Sequence, residues 1–349
     1  MIYPGVKHAD FFKYLAAALV LFFFEAEAQG RRMRLDISEE ARAAVSEKKL
    51  IRDIEFLSDS LCQGRATGSP GAAEAAFWLS RRFRKLGLLP FGGSYAHGFS
   101  IQSDSKAAGG RNIIGFIPGD ENKSRGYIIV AANYDGLGII GGRYYPGADS
   151  NASGVAAMLG LAGMAAASRD LGRSYGAGVI FVALDAKLRS MAGSAALWEE
   201  IAGKELADPV SGRRITRSDI RLMVNLDQIG SSLSPVNPGR RDYLLMLSGG
   251  FGIKEMEKSN LSKGTGLDLS YSYYGSSDFT YTFYRRIGDH RIFVEHHIPS
   301  VLFTSGITLN NNKPSDTVES LDPSVLKRRV YLIWNWLERI ATVSADKII

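Results

Sequence analysis

Continuous apolar runs of strand length recur along this chain, and they constrain its fold more than any other feature. Four of them are Tyr127–Ala132, Gly178–Leu184, Arg221–Leu226 and Ser300–Thr304. A strand with one face in solvent alternates apolar and polar residues, whereas a strand covered by helices on both faces is apolar throughout. Two helices are predicted between the runs: Ala152–Ala167, which begins at an Asn/Ser cap, and Gly193–Ala202. The pattern predicts a three-layer α/β/α sandwich with a mixed, mainly parallel sheet.

Further elements are predicted on both sides of these runs. A helix is expected at Ser38–Ser58, because its apolar residues fall on one face, and a second at Pro70–Leu86, where Gly87 and Pro90 follow as stop signals. A Gly- and Ser-rich loop then leads into the first strand. Four more elements complete the prediction: strands Asn112–Ile117 and Asp242–Leu247, and helices Gly252–Leu261 and Pro323–Ser344.

Residues 1–28 are predicted to be a secretory signal peptide rather than part of the fold. Lys7 and Lys13 form a basic start, and the apolar run Tyr14–Phe24 is shorter than the ~20 residues of a membrane-spanning helix. Ala26-Glu27-Ala28 supplies a small-x-small cleavage site. An uncleaved membrane anchor is the alternative. We expect an exported protein of the periplasm, cell envelope or medium, in which residues 29–349 form a single domain without a stable membrane span.

The distribution of charge and cysteine excludes two further classes. The formal net charge is +6, and the basic residues are scattered apart from Arg31-Arg32-Met33-Arg34. Nucleic-acid binding calls for a basic stripe with interleaved aromatic residues, so no nucleic-acid partner is expected. Cys62 is the only cysteine, which excludes an internal disulfide.

Two literal motif matches fail on their context. Gly136–Gly141 has the spacing G-x-G-x-x-G, but a Gly- and Tyr-rich loop follows it, where a dinucleotide site needs the start of a helix. Gly172–Gly176 has the spacing G-x-S-x-G, but it lies after a predicted helix and before a strand, the reverse of a nucleophile elbow. The sequence therefore supports neither a nicotinamide enzyme nor a serine hydrolase.

Eight short segments occur in an order that is typical of one group of enzymes. They are Asp59–Ser69, Leu86–Pro90, Arg111–Gly119, Ala132–Asp135, Gly147–Gly154, Met223–Asp227, Asp289-His290 and Pro314–Thr317. In these segments the chain resembles the bacterial zinc-aminopeptidase and glutaminyl-cyclase group, metallopeptidase family twenty-eight. The resemblance implies a zinc-exopeptidase fold. It also implies two zinc ions that polarise the scissile carbonyl and acidify a bridging water, which a glutamate deprotonates.

The resemblance assigns the metal-site positions one by one, and most carry a different residue in this chain. Asn133 stands where the family has its first histidine ligand, and Asp135 retains the aspartate that orients that histidine. Ser150 stands in place of the bridging aspartate, whereas its neighbour Asp149 is retained. The last histidine ligand corresponds to Asn312.

The catalytic pair of glutamates is also replaced. The general base corresponds to Lys187 and the following ligand to Leu188, so only Asp227 remains of the ligand set. One carboxylate does not hold zinc in a catalytic site, which normally uses three protein ligands. We therefore expect no intact catalytic residue and no bound metal. Zinc is expected only if an altered or single-metal site exists.

We do not expect other residues near these positions to replace the lost zinc ligands. His290 is placed at the same cleft, and His296, His297 and Asp185 are the nearest further candidates. We expect His296 and His297 in a segment that leads into a strand, with their rings pointing apart, so a rebuilt zinc site is not predicted.

Lys187 suggests how the cleft tolerates the loss of its metals. Carboxylates that converge on a partly buried pocket without a countercharge are costly. We therefore expect the Lys187 ammonium to reach into the pocket and to form an ion pair with Asp227 or Asp135.

Two functions follow from the resemblance and the substitutions. The first is a non-catalytic homologue of the cell envelope that binds peptide-like or other small ligands in the old cleft. The second is an active metallo-exopeptidase of the aminopeptidase type with an altered or single-metal site. The substitutions at Asn133, Ser150, Lys187, Leu188 and Asn312 all remove metal-binding capacity, and they favour the first function.

Overall fold

A mixed sheet of eight strands forms the centre of the computed structural model, which describes residues 39–101, 108–120, 126–173, 175–232, 242–249, 265–273 and 275–342. Its strands are β1 Ala96–Ile101, β2 Ala108–Ile117, β3 Tyr127–Asn133, β6 Gly178–Leu184, β7 Ile220–Leu226, β8 Tyr243–Ser248, β9 Asp268–Ser270 and β10 Ser300–Thr304. A separate small hairpin consists of β4 Gly138–Ile140 and β5 Arg143–Tyr145.

The order of the strands across the sheet is β1-β2-β6-β3-β7-β10-β8-β9. The four central strands β6, β3, β7 and β10 are parallel to one another. β2 joins β6 in antiparallel orientation, as do β1 with β2 and β8 with β10. The predicted fold class, a mixed and mainly parallel sheet between helices, is confirmed.

Helices cover both faces of the sheet. They are α1 Glu47–Leu57, α2 Pro70–Lys85, α3 Ser153–Asp170, α4 Ala192–Ala202, α5 Ser277–Ile287, α6 His290–Glu295 and α7 Pro323–Thr342. Successive residues of β3 belong to opposite cores: Ile128 and Val130 pack with α1, α2, α3 and α7, whereas Ile129 and Ala131 pack on the side of α4 and α6. This two-sided burial is the reason that the strand is apolar throughout.

The helix α3 is apolar and long enough to cross a membrane by composition, within the segment Ala148–Asp170. It is the central helix of the larger core, and 83% of its apolar window is buried inside the protein. Burial on almost every side explains why this helix has no polar face.

The structure corrects the prediction in three places. The loop predicted after Gly141 contains the short strand β5. The predicted helix Ser38–Ser58 is broken: residues 39–42 form a short helical turn, and α1 begins at Glu47 because the Ser46 side chain accepts a hydrogen bond from the Lys49 amide and caps it. The segment predicted as a Gly- and Ser-rich loop contains the edge strand β1. The predicted signal peptide and the predicted helix Gly252–Leu261 lie outside the described residues.

Three neighbouring parallel strands end at one edge of the sheet and bring the predicted site residues together. Asn133 is the last residue of β3, Asp185 follows β6, and Asp227 follows β7. The carboxyl ends of parallel strands are where α/β proteins place their binding crevices. The fold therefore gathers at this edge residues that lie far apart in the chain.

Candidate functional site

A cavity of about 310 Å³ opens at the carboxyl ends of the central strands. Seven of the residues predicted for the cleft line it: Asn133, Asp135, Ser150, Lys187, Leu188, Asp227 and Asn312. Apolar side chains complete the wall, among them Leu137, Met191, Ile287 and Ile307. The cavity thus has both polar and apolar lining residues, which is the usual composition of a small-molecule or peptide site.

An ion pair between the Lys187 ammonium and the Asp227 carboxylate lies in the wall of this cavity. Both side chains are largely buried, with 13% and 5% of their surface exposed. Burial alone lowers the pKa of the amine, but the carboxylates of Asp227, Asp289 and Asp135 outweigh it and raise the pKa of Lys187 above its ordinary value. The predicted ion pair is present, and the amine is protonated at neutral pH.

Asn133 and Leu188 hold the Asp135 carboxylate in place. The Asn133 amide donates to Asp135 Oδ1 at 3.0 Å, and the Leu188 backbone N–H donates to Oδ2 at 3.0 Å. Burial raises the pKa of Asp135 to about 6, although these hydrogen bonds favour the ionised form. The Leu188 side chain itself is 48% exposed and contributes only an apolar surface to the cavity.

Asp316 holds the loop that carries Ser150, a role that the sequence analysis did not assign. Its carboxylate accepts the backbone N–H of Asp149 at 2.7 Å and that of Ser150 at 3.0 Å, and the Ser150 hydroxyl also donates to it. Asp316 belongs to the segment Pro314–Thr317, one of the motifs of the resemblance, and that membership was the signal available in the sequence. The Ser150 hydroxyl thus donates its hydrogen bond to a carboxylate.

Asp149 and His290 are predicted to line the cleft, but both are buried behind the cavity wall. The Asp149 carboxylate accepts hydrogen bonds from the Gly230 N–H at 2.8 Å and the Ser153 hydroxyl at 2.8 Å. The His290 ring is fully buried, and its Nε2 lies 2.6 Å from the Tyr284 carbonyl. Burial lowers the pKa of His290 to about 4, so the ring is neutral.

Asp289 is a second residue to which the sequence analysis assigned no role, although it belongs to the motif segment Asp289-His290. It is fully buried, and its Oδ1 accepts the Ser194 hydroxyl at 2.9 Å. Its Oδ2 has no hydrogen-bond partner within the described part of the chain. Burial raises the pKa of Asp289 to about 7, against the lowering effect of the nearby Lys187 ammonium. Lys187 is therefore close to Asp289 as well as to Asp227, with which it forms the ion pair.

Arg65 connects the loops that form one side of the cavity. Its guanidinium is completely buried and donates to the backbone carbonyls of Tyr134 at 2.7 Å, Pro146 at 2.8 Å and Gly147 at 2.8 Å. These carbonyls belong to the loops after β3 and before Ser150. A single side chain therefore sets the distance between the two loops.

Comparison with known families identifies the family of this chain. The sequence profile of Peptidase family M28 matches residues 112–337, a segment that contains every residue of the cavity wall. This chain belongs to peptidase family M28. A comparison with curated protein sequences finds no match.

Solved structures of M28-type enzymes share the fold. The LapA aminopeptidase of Legionella pneumophila superposes with a TM-score of 0.64 at 14% identity, covering 88% of this chain and 75% of that one. The zinc aminopeptidase BSAP of Bacillus subtilis superposes with a TM-score of 0.63 at 15% identity, covering 87% of this chain and 98% of that one. The glutaminyl cyclase of Macrostomum lignano superposes with a TM-score of 0.63 at 16% identity, covering 88% of this chain and 93% of that one. At these identities the similarity establishes the fold alone.

The donor set of this M28 protein does not fit the zinc ions of its family. Asp227, the one position at which the resemblance implies a retained ligand, is paired with an ammonium group that would repel a divalent cation. Asn133 and Ser150 use their side chains in hydrogen bonds to neighbouring residues, and Leu188 offers no donor atom. In the described part of the chain no three His, Cys, Asp or Glu side chains gather in a way that could hold a metal.

Proposed function

We propose that this M28 protein binds peptide-like ligands in its cavity without hydrolysing them, and that it does so in the cell envelope after export. The observation that carries the proposal is the ion pair between Lys187 and Asp227. At the position where the resemblance implies a glutamate base, a protonated amine cannot accept the proton of an attacking water. At the position of a zinc ligand, the carboxylate is engaged by that amine.

Two buried acceptors on the cavity wall support a ligand that donates hydrogen bonds. Asp227 Oδ1 and Gln228 Oε1 are buried and lack partners in the described structure, and both residues line the cavity. Unpaired buried acceptors are costly, and a bound donor removes the cost. Peptide N–H and ammonium groups are such donors, and the apolar lining residues Leu188, Met191 and Ile307 suit an apolar side chain.

The first test measures metal content and hydrolysis together. We expect the purified protein to contain substoichiometric zinc by mass spectrometry and to show no chelator-sensitive release of nitroaniline from leucine p-nitroanilide. Stoichiometric zinc together with chelator-sensitive turnover would instead establish an active metallo-exopeptidase with an altered site.

A restored variant serves as the positive control for that assay. It carries the residues that the resemblance implies at the five substituted positions: Asn133→His, Ser150→Asp, Lys187→Glu, Leu188→Glu and Asn312→His. We expect this variant to bind zinc, because four of its changes supply ligands and the Lys187 change removes the repelling charge.

Ligand binding is tested by calorimetry with the tripeptide Leu-Gly-Gly. We expect the wild-type protein to bind it and Asp227→Ala to lose at least about tenfold in affinity, since a buried charge-assisted hydrogen bond contributes roughly that much. Lys48→Ala, an exposed change on α1, is the control. Equal binding by wild type and Asp227→Ala would refute the assignment of this cavity.

A further inference from the structure

A second groove lies between α1, α2 and α3 and shares no residue with the cavity of the candidate site. Its volume is about 250 Å³. Its floor is apolar and consists of Val45, Leu50, Leu86 and Leu159, together with small residues of α3. Gly160 and Gly163 keep this floor low, because a side chain there would extend toward Val45 or Leu86.

Four cationic side chains and a single carboxylate surround the apolar floor. The cations are Lys49, Arg52, Arg82 and Lys85, and the carboxylate is Asp53. Asp53 is 6% exposed and accepts Arg82 Nη2 at 2.7 Å, so its charge is taken up within the wall. The Lys49 amine donates to the Ala44 carbonyl at 2.9 Å. Three positive charges are therefore uncompensated around the groove.

Arg52 and Lys85 are the cations of this groove that are available to a ligand. Both side chains are exposed, and neither forms an ion pair within the described part of the chain. Arg82 Nε, beside them, is a buried donor without a partner in the same part of the chain. The helix dipole accounts for Lys85 in the last turn of α2, but Arg52 lies in the middle of α1, where that effect has faded.

We propose that this groove binds an anionic phospholipid, with the phosphate at Arg52, Arg82 and Lys85 and part of one acyl chain on the apolar floor. Arginine and lysine bind phosphate by charge-assisted hydrogen bonds. An acyl chain suits a floor without polar groups, whereas the backbone of an acidic peptide needs hydrogen-bond partners that Val45, Leu50 and Leu159 do not offer. The proposal is independent of what the cavity at the sheet edge binds.

Calorimetry on the full chain tests the proposal with dihexanoylphosphatidylglycerol, kept below its micelle concentration. We expect dihexanoylphosphatidylcholine and inorganic phosphate to bind at least about tenfold more weakly, because the first lacks net negative charge and the second lacks the apolar part. Equal binding of inorganic phosphate would reduce the groove to an ion site, and tighter binding of a triglutamate peptide would make it a peptide site. Either result overturns the proposal.

The decisive variant combines Arg52→Glu with Lys85→Glu. Its control, Lys204→Glu with Arg217→Glu, replaces two exposed cations outside the groove, so the control and the groove variant have the same net charge. We expect the groove variant to lose phosphatidylglycerol binding by about tenfold or more and the control to stay within about twofold of wild type. Equal loss in both would show binding by net charge alone and refute the groove. If the glutamate variant does not fold by circular dichroism, methionine at the same four positions gives the same comparison.

Discussion

The Lys187 ammonium and the Asp227 carboxylate form an ion pair beyond the carboxyl ends of β6 and β7, the two strands that flank β3, and the two residues are 40 positions apart in the chain. The pair lies where the M28 resemblance implies a general base and a zinc ligand. The buried carboxylates Asp289 and Asp135 lie close enough to raise the pKa of the same amine. One cation thus compensates an acidic cluster at the place where the resemblance implies metal ions.

Removal of this cation is expected to destabilise the protein strongly. Lys187→Met should lower the free energy of unfolding by about 3–5 kcal/mol, because it leaves Asp227 buried and unpaired. The double change Lys187→Met with Asp227→Leu should recover most of the loss, since both charges are then absent. Urea unfolding measures the effect. Lys313→Met, at an exposed residue of the same cavity, should change stability by less than about 0.5 kcal/mol. A small loss in Lys187→Met would contradict this account.

Asp289 should make stability fall as pH rises from about 4 to about 7. Its pKa is raised from 3.8 to about 7 in the folded protein, so in that window the folded state holds a proton that the unfolded state has lost. This group alone gives a slope of up to about −1.4 kcal/mol per pH unit. Asp289→Asn removes it, and urea unfolding at pH 5 and pH 8 should show the difference. His290 acts in the opposite direction between pH 4 and 6.5, because its pKa is lowered to about 4. His290 is present in both the wild type and Asp289→Asn, so its contribution cancels when the two proteins are compared. Equal changes in the free energy of unfolding with pH in the two proteins would refute the prediction.

Gly193 should tolerate no side chain. A Cβ at this position would lie 2.1 Å from the Asp185 carbonyl oxygen and 2.7 Å from Asn112 Oδ1. Gly193→Ala must displace the segment that carries Lys187, and we expect a loss of roughly 1–3 kcal/mol in thermal or urea unfolding. Gly98→Ala on β1 is the control, because a Cβ there meets nothing within 4 Å. Similar stabilities of the two variants would show that the segment adjusts freely.

Arg65 should be essential for the shape of the cavity. Arg65→Met removes the donors to the carbonyls of Tyr134, Pro146 and Gly147 and leaves these groups buried without partners. We expect a loss of at least about 2 kcal/mol in stability, together with weaker Leu-Gly-Gly binding at temperatures where the variant is still folded. Arg84→Met, an exposed change on α2, should have neither effect. If a folded Arg65→Met protein binds Leu-Gly-Gly with wild-type affinity, Arg65 is not needed for the shape of the cavity.

The strands of the core could be predicted closely, whereas an edge strand could not. The predicted runs Gly178–Leu184 and Ser300–Thr304 match β6 and β10 residue for residue, because burial on both faces leaves a continuous apolar signal. β1 alternates exposed and half-buried residues and includes His97 and Gly98, so its composition is that of a loop. Its strand conformation depends on pairing with β2, which local sequence does not report.

The sequence by itself determined the fold class, because apolar periodicity is a property of the residues themselves. It also identified, through the resemblance alone, substituted ligand positions at Asn133, Ser150, Leu188 and Asn312 and a substituted base position at Lys187. The tertiary structure alone decided which side chains face the cavity. Asp149 and His290 turn behind its wall, and Asp316 reaches Ser150 across 166 residues of chain. Such relations depend on how loops from separate strands meet, and hydrogen bonds between distant residues have no local pattern. For the same reason the partner of Lys187 was open between Asp227 and Asp135 until the fold brought one of them to the amine.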